Sequence, residues 1–142
     1  MAELDSLIRV RKHTVDQKQK FLSELYRQAE ALDNQKITLE TQMKIERETV
    51  KDMGVEMLNF FGSYSKAVKE RIENIDEARG KLETRIKFAQ EEIRIAFAEL
   101  KKIEIIQKRR KDEEKKEIAK KETQMLDDIG IDGFRRQEEE RG

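Results

Sequence analysis

An apolar residue recurs at alternating intervals of four and three along most of this chain, and that rhythm constrains the fold more than any other feature. Stepping from Leu4 through Ile8, Arg11, Val15 and Lys18 to Tyr64 visits 18 positions, of which 14 are apolar. A second ladder runs from Val68 through Ile72 and Ile75 to Arg110, with ten apolar residues in 13 positions. The chain as a whole is only 36% hydrophobic, so both ladders exceed chance. A repeat of 3.5 residues places one apolar seam along a helix, and a second helix is what covers such a seam. The 142 residues contain no proline. Its absence leaves long helices uninterrupted, since a proline inside a helix costs about 3 kcal/mol.

Two ladders need a break between them, and Phe61-Gly62-Ser63-Tyr64-Ser65 supplies one. Gly62 is able to adopt the left-handed conformation that ends a helix, and Ser63 or Ser65 to cap the next. Gly54 is the alternative position for the turn, or for a kink. A short connection makes consecutive helices antiparallel neighbours. The expected fold is therefore all-α: two long helices in an antiparallel coiled-coil hairpin, with the turn near residues 61–65. Helix 1 is predicted over about 3–61, helix 2 over about 64–128, and a mobile tail over about 130–142. In that register Leu4 to Lys18 face residues 108–122, where the second ladder has lost its apolar positions. The polar seam residues Arg11, Lys18, Lys36, Glu46, Arg79 and Arg110 argue for control of register or partner choice.

Composition narrows the function. Charged residues make up 44% of the chain and aromatics 6%, which suits a thin seam rather than a thick core. The 31 basic and 31 acidic residues cancel, so nothing global attracts nucleic acid or an anionic membrane. There is no cysteine, which fits a reducing compartment. The opening Met1-Ala2-Glu3-Leu4-Asp5 lacks the basic region of a signal peptide, and no stretch has the apolar length of a membrane span. A cytoplasmic chain is expected. Catalysis, metal and cofactor are not: His13 is the one histidine and reads as part of a solvated helix face. No glycine-rich loop is present to cradle a phosphate. Paired carboxylates such as Glu91-Glu92 abound, but two helices offer no desolvated pocket to tune them.

Two stretches stand out as candidate interaction sites. Met53, Val55, Met57, Leu58, Phe60, Phe61 and Tyr64 place seven large apolar residues within twelve positions. Only some fit a two-helix seam, so Leu58 and Phe61 should be partly exposed. The cluster reads either as an adaptable protein-binding surface or as a cap that closes the hairpin. Lys108-Arg109-Arg110-Lys111 is followed at once by Asp112-Glu113-Glu114, which cancels its field. It reads as a charged helix face or as a docking surface for an acidic protein, with nucleic acid a remote third.

The run Leu100-Lys101-Lys102-Ile103-Glu104, then Lys108 to Lys111, Glu113-Glu114, Glu117, Glu122, Leu126-Asp127-Asp128 and Phe134-Arg135-Arg136 resembles the C-terminal half of the FliJ family of flagellar export proteins. Leu4 to Leu32 resembles that family's opening helix in length and leucine rhythm. Family members often carry Asp-Glu at the place of Asp127-Asp128, a departure that keeps the charge. The resemblance implies a non-enzymatic coiled-coil stalk like the rotor shaft of rotary ATPases. It implies that the open end inserts into the hexameric flagellar export ATPase ring, and Arg109, Arg110, Lys111, Asp127, Asp128 and Phe134 are the residues assigned there. The tip residues Met53, Met57, Phe60, Phe61 and Tyr64 are assigned to the cytoplasmic domain of the membrane export gate. Export chaperones are further implied partners, and the implied place is the inner face of the membrane at the flagellar base. The alternatives are a stalk homologue of type III secretion and a generic coiled-coil scaffold forming an elongated dimer.

Overall fold

A computed structural model describes residues 2–141. It contains two helices, α1 (Ala2–Val50) and α2 (Val55–Arg141), and they pack against each other as an antiparallel hairpin. The ladders read from the sequence form the seam. Ile8, Val15, Leu25, Ala29, Leu39 and Val50 of α1 are buried, as are Val68, Leu82, Ile86, Ala89, Ala96 and Leu100 of α2.

The chain divides into two compact units, Lys12–Phe97 and Met1–Arg11 with Ala98–Gly142. In the first, the core gathers Leu25, Ala29, Leu82, Ile86 and Ala89, with Leu22 and Leu32 packed on it. Ion pairs cross between the helices: Lys18 to Glu92 at 3.4 Å, Lys36 to Asp76 at 2.9 Å and Arg79 to Asp33 at 3.0 Å. In the second unit Arg11 pairs with Glu99 at 3.2 Å, and Gln107 donates to Asp5. Ile8 and Leu100 are its buried seam residues.

The turn is not at 61–65. It lies at residues 51–54, the position the sequence offered as the alternative. The Met53 amide donates to the Val50 carbonyl at 2.9 Å, and the Gly54 carbonyl accepts from the amides of Met57 (3.1 Å) and Leu58 (3.2 Å). Gly54 thus stands at the N-cap of α2, a place where glycine is well tolerated. No glycine takes a positive φ among the described residues, and Gly62, Gly130 and Gly133 continue the helix with open space around them. A helical glycine costs about 1 kcal/mol relative to alanine, too little to break a helix whose neighbours are held. Ser65 does not cap either: it is buried and donates to the Met43 sulfur at 3.6 Å. For the same reason α2 runs on to Arg141, past the helix end expected near residue 128.

Moving the turn moves the register. The ion pairs across the hairpin join residues whose numbers sum to 110 or 112, whereas a turn centred on Ser63 requires about 126, two heptads away. Asp5, Arg11 and Lys18 consequently stand opposite Gln107, Glu99 and Glu92 rather than residues 108–122. A heptad pattern fixes which face points inward but repeats every seven residues, so apolar residues alone cannot choose between these registers. The charges choose. Slipped by two heptads, Arg79 would face Arg47, Lys18 would face Ile106 and Lys36 would face Gln90.

Replacement of the exposed Gly62 by alanine should therefore stabilise the protein by about 0.5–1 kcal/mol, read by urea unfolding. A destabilised Gly62→Ala variant would mean that residue 62 has the left-handed conformation of a turn after all.

Candidate functional site

Two regions present groups that the hairpin leaves unused. The first is the turn and the start of α2. After the turn the inward ladder resumes through Phe61, Tyr64, Ser65 and Val68, so Met53, Met57 and Phe60 lie outside the seam into which the continuous 4–3 count had placed them. Phe60 is 70% exposed, and Met53, Val55, Met57 and Leu58 are exposed as well. Phe61 and Tyr64 are half-buried, their rings 6.3 Å apart and tilted by 42°. The structure thus splits the cluster into a small inner cap, Phe61 and Tyr64, and an outer set of free apolar side chains, Met53, Met57 and Phe60.

The second region is the C-terminal stretch of α2. At the observed register Ala2, where α1 begins, stands opposite about residue 108, so α2 beyond that point has no α1 residue across from it. Every residue from Lys108 to Arg141 is exposed, and the stretch is roughly 50 Å long at 1.5 Å per residue. Arg109, Arg110, Lys111, Asp127, Asp128 and Phe134 all lie on it, with Phe134 60% exposed. They do not converge. Arg109 and Asp127 share one face five helical turns apart, about 27 Å, as do Arg110 and Asp128. Such spacing suits contact with an extended surface rather than a small ligand.

The charges inside the hairpin have a different task. Arg11, Lys18, Lys36 and Arg79 stand at seam positions, and each reaches sideways to a carboxylate of the opposite helix. Their aliphatic stems cover the seam while the heads stay near water. Asp76, through its hydrogen bond and its charge, raises the Lys36 ammonium above the ordinary lysine value. The sign follows: that pair's contribution is present below the ordinary lysine range and is lost as pH rises through the raised value. Arg94 and Arg27 hold Glu91 and Glu24 below the usual carboxylate range, through pairs within one helix. A register role for Arg79 has a direct check. Arg79→Glu faces Asp33 with a like charge and should cost about 1–2 kcal/mol, most of it recovered in the double variant with Asp33→Arg. Additive losses in thermal melts of the single and double variants would contradict the pairing.

Nothing in either region assembles reactive groups. His13 is exposed, its ring 3.4 Å from the Gln17 amide. No cluster of three potential metal ligands occurs among the described residues. The concavities are grooves along helix faces, such as that of Asp16, Gln19, Lys20, Ser23, Glu24 and Arg27, all on α1. No described helix is long and apolar enough to cross a membrane.

The sequence places Met125, Leu126 and Ile129 in a helix end followed by an apolar-acidic tail, whereas the structure keeps them on α2 as part of a second set of exposed apolar residues. Ile118, Met125, Leu126 and Ile129 of the unpaired stretch are all more than half exposed. Their signal was a resumption of the 4–3 spacing one residue out of step with the seam, which a ladder counted in one phase skips.

No curated protein and no solved structure matches the chain. A family model does: that of the flagellar FliJ protein, over residues 1–139. With a match across nearly the whole sequence, on a helical hairpin of the kind the resemblance implied, this chain belongs to the FliJ family and is a component of the flagellar protein export apparatus.

Proposed function

We propose that the protein is the coiled-coil stalk of the export machinery, that the free stretch of α2 enters the hexameric export ATPase ring and promotes its assembly and activity, and that the turn engages the cytoplasmic domain of the membrane export gate. The observation that carries this reading is the unpaired helix from Lys108 to Arg141, exposed at every position. A helix of that length without a covering partner gains from insertion into a larger assembly. Arg109, Arg110 and Lys111 near its start and Asp127, Asp128 and Phe134 further along give it charge of both signs and an aromatic anchor for a ring's inner wall. The free side chains of Met53, Met57 and Phe60 support the gate contact, because adaptable apolar groups at an exposed turn serve binding better than packing. Escort of export chaperones, and a place at the inner face of the cell membrane reached through these partners, belong to the same proposal. So does a role without catalysis.

The test mixes the full chain with the flagellar export ATPase and follows ATP hydrolysis together with ring assembly, then repeats both with a chain that stops at Gln107. Stimulated hydrolysis and more hexamer, both lost on truncation, are expected. A truncated chain that stimulates as well as the whole one removes the free stretch from the mechanism.

A further inference from the structure

The free stretch of α2 carries its charge in two blocks. Residues 108–121 hold eight basic and four acidic side chains, and residues 122–141 hold three basic and seven acidic. Between and across the blocks runs the apolar stripe at Ile118, Met125 and Ile129, flanked by Leu126, each residue between 56% and 69% exposed. An exposed stripe at heptad spacing is one half of a coiled-coil seam. What would cover it is indicated by the charges.

We infer that this stretch pairs with the same stretch of a second copy of the chain, antiparallel about a two-fold axis. Such an axis lays the basic block of each copy along the acidic block of the other, whereas a parallel pair would stack like on like. The match persists at the level of single residues. With the axis between Thr123 and Gln124, the stripe aligns in proper layers: Ile118 faces Ile129, and Met125 faces Glu122. The next layer outward sets Lys115 against Asp132. On the flanks Lys121 meets Asp128 and Glu114 meets Arg135, while Ala119 and Leu126 widen the apolar strip. Each of these contacts occurs twice by symmetry. Lys111 opposite Arg136 is the one like-charged layer.

Five apolar side chains from each copy, with the stems of the flanking charges, bury on the order of 1,000 Å², the low end for a specific interface. The self-association is accordingly weak, with a dissociation constant on the order of 10 μM, and it weakens as salt rises. It covers Asp128 and the stripe, so a chain paired in this way is not available to a second partner on that face. The inference stands on the charge blocks and the stripe alone and does not require the ATPase contact.

The experiment uses the full-length chain with no other protein. Sedimentation equilibrium over a range centred on about 10 μM should show a monomer–dimer equilibrium. Two variants reverse one block each: Asp128→Lys with Asp132→Lys, and Lys115→Glu with Lys121→Glu. Each alone should self-associate at least about tenfold more weakly than the natural sequence, because four symmetric pairs turn repulsive. An equimolar mixture of the two should dimerise at least as well as the natural sequence, since every reversed charge then meets its opposite. Circular dichroism checks that all three chains are equally helical; the mixture supplies the same control internally. A natural chain that stays monomeric to about 200 μM overturns the inference. So does a dimer unaffected by either reversal, or a mixture no better associated than its components.

Discussion

Leu25→Ala lowers the stability of the hairpin by about 2–4 kcal/mol, a large share of the 5–15 kcal/mol typical of a whole domain. Leu25 is 1% exposed and sits among Ala29, Leu82, Ile86 and Ala89. Truncation removes its transfer free energy and leaves a cavity between two helices. The backbones cannot close that gap without disturbing layers on either side. The comparison is Phe21→Ala, four residues earlier on the same helix. Phe21 is the larger side chain, yet it is 50% exposed and outside the seam, so its loss should stay within about 0.5 kcal/mol. Urea unfolding followed by circular dichroism measures both. Losses of similar size would mean that burial in the seam is not what holds the helices together.

Truncation of two free apolar groups at the turn, Met57→Ala with Phe60→Ala, should weaken the proposed binding to the gate's cytoplasmic domain by about 30- to 150-fold, at about 1–1.5 kcal/mol for each anchor. The same variant leaves helix content and melting temperature within error, because neither side chain lies in the seam. This pair is chosen over Phe61 and Tyr64 because those two rings lie against each other, half-buried at the start of the seam. Loss of binding after their removal would be ambiguous. Binding by titration calorimetry and melting by circular dichroism separate the two effects. Unchanged affinity for the gate removes Met57 and Phe60 from the proposed contact.

Much of this architecture was legible in the sequence, and the part that was not has a definite cause. Every ladder position from Leu4 to Met43 is buried or half-buried, charged ones included, and so is every position from Val68 to Gln107. That is the strength of a 3.5-residue period: it fixes the inward face of a helix without any knowledge of the partner. Its weakness is translation. The same ladder fits itself after a slide of two heptads, and glycine, which a helix interior tolerates at about 1 kcal/mol, does not discriminate between a turn at Gly62 and one at Gly54. Pairing Arg79 with Asp33 and Lys36 with Asp76 would have selected the observed register from charges alone. The sites were legible by location only. Composition indicated an apolar turn and a charged far end, but the division of the turn into inner and outer residues follows from where α2 begins. The stripe at Ile118, Met125 and Ile129 was hidden by its change of phase.

The turn at 51–54 makes no unusual demand on the backbone: no residue in it has a positive φ, and its side chains are exposed. A connection of that kind can be lengthened. Inserted residues add only the entropy of a larger loop, about 0.6 kcal/mol for each doubling of its length. The segment between Lys51 and Gly54 is therefore the natural place to graft a peptide tag or a fluorophore, where a reporter could follow this end of the hairpin inside the export apparatus while the seam below it stays intact.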